Sequence, residues 1–203
     1  MSLLSTHTPS ISALLSDVSS DIQPWELTDQ LSEILVKLSA ELGDEYEMRG
    51  NAFVHRTATV HPTVVLQDTV IINADASIGP HAMLRNGAWV GESAHIGGSV
   101  EIKQSIIGSH SAVAHLNYVG NSIIGDNVNI EAGAVLANHH NDRDDKSIWV
   151  LIDDEKIQTG VSKFGALVGD HVKIGANAVT SPGTILKPGT IVNRLELVQQ
   201  ISA

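Results

Sequence analysis

Ten histidines, no cysteine and few cations set the chemistry open to these 203 residues. Histidine exchanges a proton near neutral pH, so a general base is available. The absence of cysteine excludes thiolate catalysis, an acyl-cysteine intermediate, disulfides and Cys-ligated metal centres. Arg85, in LRNGA, and Lys103, in VEIK, stand 18 residues apart. Two cations that a fold brings side by side are costly unless an anion lies between them. The chain carries a formal charge of -11, so these two offer a local positive potential for a small anion, while the bulk charge repels nucleic acid and anionic membranes. The acidic run Asp142, Asp144 and Asp145 reads as a solvated loop, with cation binding as the alternative.

Positioning such residues falls to two stretches of different composition. Residues 1–50 contain two of the 17 glycines. Within them Leu27, Leu31, Ile34, Leu35, Leu38 and Leu42 recur at helical spacing, predicting an amphipathic helix over Trp25–Leu42 ended by Gly43, with a shorter one over Ile11–Val18. Residues 51–203 repeat every six positions, as in Val54, Val60, Leu66, Ile72, Ile78, Leu84, Val90, Ile96 and Ile102. A small or β-branched residue follows each four places on. That period fits neither a helix nor a plain strand; it fits a short strand and a turn repeated along a coil, with an aliphatic inward and Gly or Asn at the corner. The phase slips by one at Ile107 and at Ile124, predicting irregular turns, and resumes at Val168, Ile174, Thr180, Leu186 and Val192. The period is absent from the insertion 139–162, where Ile148–Ile152 and Lys156–Gln158 flank Asp153-Asp154-Glu155 and predict a projecting hairpin. Only seven side chains are aromatic, as a narrow coil of small and aliphatic residues requires. The start MSLLSTHTPSISALLSDV lacks a basic secretory n-region, and no apolar run approaches the roughly 20 residues of a membrane span. A cytoplasmic protein is expected.

The hexapeptide pattern resembles that of left-handed parallel β-helix proteins, in which three hexapeptides form one triangular coil. The resemblance implies an all-β fold: a left-handed parallel β-helix with an N-terminal α-helical segment and an inserted hairpin. On that geometry Arg85 and Lys103 stack on one face. The stretch VEIKQSIIGSHSAVAHLNYVGNSIIGDNVNIEAGAVL resembles, more specifically, the C-terminal acetyltransferase domain of bifunctional N-acetylglucosamine-1-phosphate uridyltransferases. The matching segments are VE-x-K, HL-x-Y-x-G and D-x-VNI-x-AG. The resemblance implies acetyl transfer from acetyl-CoA to an amino sugar 1-phosphate in nucleotide-sugar biosynthesis. His115 is then the general base, Arg85 and Lys103 hold phosphate, and Tyr118 touches phosphate or sugar. Asn129 and Asn138 bind the sugar, Lys163 lies near it, and the Ala132 amide meets the acetyl thioester. It also implies a homotrimer with sites between subunits. The chain departs from the family at Glu131, where the motif has glycine, at Asn138-His139-His140-Asn141, and at Ala176, which aligns with a serine that meets the coenzyme. The uridyltransferase domain has no counterpart in residues 1–50.

Two further readings share this fold. In a γ-class carbonic anhydrase, His110 and His115 would be paired zinc ligands, although the third ligand position falls on Ala74. In a non-catalytic scaffold, the helix or the hairpin would bind a protein.

Overall fold

The computed structural model describes residues 2–15 and 22–201. From Ala52 onward the chain is a parallel β-helix of hexapeptide repeats, with helices before it and an antiparallel hairpin inserted in it. Three rows of short strands line the coil. In the first row Val54, Ile72, Val90, Ile107, Ile124, Val168 and Leu186 lie in register one above another. The second row stacks Val60, Ile78, Ile96, Val113, Ile130, Ile174 and Val192. The third stacks Leu66, Leu84, Ile102, Val119, Leu136, Thr180 and Val198. These are the sequence's period-six residues, and together with the small residues they form the inner core.

Beyond the first coil, the corners are turned by residues at positive φ. The first corner uses Asp75, Ser93, His110, Asn127 and His171, and the second uses His81, Ser99, Leu116, Gly133, Asn177 and Leu195. Leu116 and Leu195 hold this left-handed conformation although their Cβ disfavours it. Both phase slips fall at the third corner. There the register breaks between Arg85 and Ala88, which pair with Lys103 and Ser105, so the later coil drops one residue. The insertion opens at the same corner, between Leu136 and Val168.

Helices α1 (Leu3–His7), α2 (Pro9–Leu14), α3 (Pro24–Asp29) and α4 (Leu31–Ser39) precede the coil. The end of the short helix expected over Ile11–Val18 lies, from Ser16 on, outside the described residues. The single helix expected over Trp25–Leu42 is instead two. The Gln104 side chain, from the third corner, donates to Thr28 O at 2.9 Å and Asp29 O at 3.2 Å, occupying carbonyls a continuous helix would use. Gln30 takes φ -93° and ψ 3° between α3 and α4. α4 closes in i to i+3 bonds as far as Leu42, and Gly43 is not among the left-handed glycines.

A second core lies outside the first row. Ile71, Ile106, Ile123, Leu167 and Ile185 face away from the coil interior and are covered by Trp25, Leu27, Leu31, Ile34 and Leu35 from α3 and α4, by Ile148 and Val150 from the insertion, and by Phe164 just after it. Trp25 meets Phe164 edge-on, with centroids 6.0 Å apart and planes at 72°. Complete burial of a side chain such as Leu31 or Phe164 contributes about 1.5–3 kcal/mol. The hairpin pairs Trp149–Ile152 with Glu155–Gln158. Among the described residues no helix is long and apolar enough to cross a membrane.

Candidate functional site

The third corner gathers five of the residues singled out in the sequence. Arg85 and Lys103 are register partners in adjacent coils, with Gly120 next in line. Glycine at 120 leaves room for an aromatic ring: a Cβ there would lie 2.6 Å from Tyr118 Oη and 2.7 Å from its Cε1. The Tyr118 ring therefore folds into the column that Arg85 and Lys103 begin. Asn138, buried at 6 % exposure, donates from Nδ2 to Asn121 Oδ1 at 2.7 Å and its amide reaches Tyr118. The insertion leaves and returns side by side, because Phe164 N–H donates to Asn138 O at 2.9 Å. That closure sets Lys163 beside Lys103.

The electrostatics of this cluster are dominated by its cations. Burial first, then the neighbouring Lys163 and Arg85, pushes the Lys103 ammonium below its ordinary pKa, with Glu101 opposing. Burial and Glu101 push the Tyr118 hydroxyl up, while Arg85 pulls it down. Glu101, which the sequence reading did not single out, is the counter-charge: Arg85 donates to its Oε1 from Nε at 2.9 Å and from Nη2 at 2.6 Å. Its signal was its place in VEIK, two residues before Lys103 and in register with Tyr118. One carboxylate thus faces three cations, leaving a local positive excess.

His115, Ala132 and Ala176 form a separate column at the second corner. His115 is exposed, and its carbonyl accepts Gly133 N–H at 2.9 Å. The corner stacks tightly here, since a Cβ on Gly97 would lie 1.5 Å from Ala114 O and 2.9 Å from His115 Nδ1. The third-row strand Tyr118–Gly120 connects this corner to the cation cluster. It is short: at about 3.3 Å per residue the five steps from His115 to Gly120 span no more than about 16 Å. Asn129 is not brought to the cation cluster; it lines a groove beside Glu131, Gly175 and Arg194 at the second corner. It is exposed on the second row, between Ala112 and Lys173. His110 turns the first corner and His115 flanks the second, and among the described residues no three His, Asp or Glu side chains gather as a metal site.

Residues 48–141 match the model of the GMPPB C-terminal domain. The chain is 45% identical over 173 residues to the bifunctional protein GlmU of Methanococcus maripaludis strain C7, a match covering 83% of this chain and 41% of that protein. It is 37% identical over 99 residues to a bifunctional sugar-1-phosphate nucleotidylyltransferase/acetyltransferase of Sulfurisphaera tokodaii, covering 46% of this chain and 24% of that one. The chain therefore spans less than half the length of these relatives. Among solved structures, the acetyltransferase domain of PglB from Neisseria gonorrhoeae, in complex with acetyl coenzyme A, superposes with a TM-score of 0.44 at 16% identity, covering 82% of this chain and 65% of that one. With its period-six rows, its third-corner insertion and these relatives, the chain is a hexapeptide-repeat β-helix protein that resembles the acetyltransferase domain of the bifunctional GlmU proteins.

Proposed function

We propose that this protein is an acetyl-CoA-dependent N-acetyltransferase whose acceptor is an amino sugar 1-phosphate of the glucosamine 1-phosphate type. The observation that carries the reading is the cradle at the third corner, where Arg85, Lys103 and Lys163 converge with Tyr118 and Asn138 in an otherwise acidic chain. A phosphate dianion there offsets both the burial of the Lys103 ammonium and its repulsion by Lys163 and Arg85, which together lower its pKa, and takes charge-assisted hydrogen bonds. In this reading the sugar lies along Tyr118–Gly120, oriented by Asn138, with its amine toward His115. The amine nitrogen attacks the acetyl carbonyl, the C–N bond forms, the C–S bond breaks, and the CoA thiol leaves. His115 accepts the proton that the amine sheds. The Ala132 N–H, which donates to no acceptor among the described residues, is suited to stabilise the oxygen that becomes negative. Asn129, on the second row, joins the sugar site only from a neighbouring copy, in keeping with the homotrimer with sites between subunits that the family resemblance implies. In this scheme residues 1–50 brace the coil 51–203, and the closure of the insertion 139–162 sets Lys163, the residue that follows it, in the cradle.

The test is acetyl transfer to glucosamine 1-phosphate and to a panel of phosphorylated amino sugars, with wild type and His115→Ala. Loss of turnover in the variant with acetyl-CoA binding retained is expected. Equal rates would refute His115 as the base. A folded wild type with no transfer and no saturable acetyl-CoA binding would favour the scaffold reading.

A further inference from the structure

The second corner is built from residue pairs stacked coil on coil: Gly97-Gly98, Ala114-His115, Glu131-Ala132, Gly175-Ala176 and Asn193-Arg194. The first amide of each of the upper four belongs to the ladder: Gly97 N–H donates to Val113 O at 2.8 Å, Ala114 to Ile130 O at 2.9 Å, Glu131 to Ile174 O at 2.8 Å and Gly175 to Val192 O at 2.9 Å. The second amide does not. Among the described residues Gly98, His115 and Ala132 donate to no protein acceptor, whereas Ala176 N–H donates to Glu131 Oε2 at 2.9 Å. Glu131 stands where the neighbouring coils carry Gly97, Ala114 and Gly175. Small residues suit this position, since a Cβ at Gly175 would lie 2.5 Å from Arg194 N. The Glu131 side chain reaches past Gly175 to the next coil, where Arg194 donates to Oε2 from Nε at 2.7 Å and to Oε1 from Nη2 at 2.7 Å. The pair borders a groove of about 220 Å³ lined also by Asn129, Lys173 and Gly175.

We infer that Glu131 and Arg194 form a gate over the acyl-donor groove, with the Glu131 carboxylate competing for the Ala176 amide against the amide carbonyls of the donor's pantetheine arm. This rests on the reading of the protein as an acetyl-CoA-dependent transferase. The arm is flexible and carries two amide carbonyls that need donors when they leave water. A column of unpaired corner amides supplies donors at the spacing between coils, about 4.8 Å. A carboxylate is a stronger acceptor than an amide carbonyl for the same N–H. The arm therefore uses Ala176 only after Glu131 vacates it. The ion pair is exposed, with Arg194 at 73 % and Glu131 at 34 % side-chain exposure, and exposed pairs open at little cost. This marks it as a displaceable contact and not a structural lock. Opening also frees the Arg194 guanidinium, whose planar fork matches the coenzyme's phosphates. Arg194 and the Ala176 amide hold the Glu131 carboxyl below the usual range, so the gate stays charged across neutral pH and responds to ligand.

The test compares acetyl-CoA binding to wild type, Glu131→Ala and Glu131→Gln by calorimetry, with hydrogen exchange at the Ala176 amide as a readout independent of turnover. Glu131→Ala is expected to tighten acetyl-CoA binding about two- to tenfold, the worth of one hydrogen bond, with Glu131→Gln between it and wild type. Ala176 exchange should be faster in free Glu131→Ala and slow again when acetyl-CoA is bound. Binding by the variant alone would be the strongest support. Unchanged or weaker binding in Glu131→Ala, with wild-type binding intact, would overturn the gate and leave the transferase reading standing. Absence of binding in folded wild type and both variants would overturn both.

Discussion

Gly97 and Gly98 are adjacent, and neither has a left-handed backbone, yet alanine should be severe at the first and nearly neutral at the second. At 97 the new Cβ would sit 1.5 Å from Ala114 O and 2.6 Å from Ala114 C, so the backbone of the next coil must retreat by about 1.5 Å or more to restore van der Waals contact. That backbone is pinned by two ladder bonds, Gly97 N–H to Val113 O at 2.8 Å and Ala114 N–H to Ile130 O at 2.9 Å. Overpacking of this kind costs about 1–3 kcal/mol, and weakening two backbone hydrogen bonds adds about 1 kcal/mol each. Gly97→Ala should therefore lose about 3–5 kcal/mol, lowering the urea midpoint by about 1–2 M. At 98 the nearest atoms are Pro80 O at 3.2 Å and Pro80 Cγ at 3.5 Å. Gly98→Ala should then change stability by no more than about 0.5–1 kcal/mol, with either sign. Urea titration followed by circular dichroism decides. Equal midpoints for the two variants, or a Gly97→Ala midpoint at the wild-type value, would refute the stacking of Gly97 beneath the His115 corner.

Gly120→Ala should expel the Tyr118 ring, because the Cβ would lie 2.6 Å from Oη. Steady-state kinetics should show the acceptor KM raised about tenfold with stability little changed; unaltered kinetics would refute the ring as part of the site. Lys103→Met tests the cradle through stability. The folded pKa of Lys103 lies below its ordinary 10.5, so its charged form opposes folding at neutral pH, and the opposition fades only as pH rises through the folded value toward 10.5. The variant should therefore melt later than wild type at pH 7 and gain less from added inorganic phosphate, and earlier melting would contradict this. His7 provides an acid limb. Its pKa is lowered from 6.5 mainly by burial, and its Nε2 has no partner among the described residues. The unfolded chain then takes up a proton that the folded one refuses, so stability falls as pH drops from 6.5 toward the folded value, by up to about 1.4 kcal/mol per pH unit. His7→Gln should flatten the urea midpoint over that window, and an unchanged slope would exclude His7 as its source.

The coil was legible because its signal is local and repeated. Each period-six aliphatic occupies an inward position, and Arg85 and Lys103, three repeats apart, stack as the repeat count requires. The slips at Ile107 and Ile124 were visible, but not that both fall at the corner where the insertion opens. The doubled aliphatics Ile71-Ile72, Ile106-Ile107, Ile123-Ile124, Leu167-Val168 and Ile185-Leu186 carried a second message. One of each pair faces the coil interior and the other faces out, which forecasts a cover over the first row. The break at Gln30 had no local signal, since its cause is Gln104, distant in sequence.

The amino-acid sequence by itself determined the coil, its rows, its insertion and the column of cations, because these follow from the period of residues whose inward or outward direction the backbone dictates. Only the tertiary structure decided which groups meet. Lys163 joins Lys103 because Phe164 and Asn138 close the insertion on itself, and Asn129 stands apart because its strand belongs to another face. Glu131 reaches Ala176 and Arg194 because coils separated by an insertion are nonetheless neighbours. Such encounters depend on contacts between residues 45 to 63 positions apart, which a short period cannot encode.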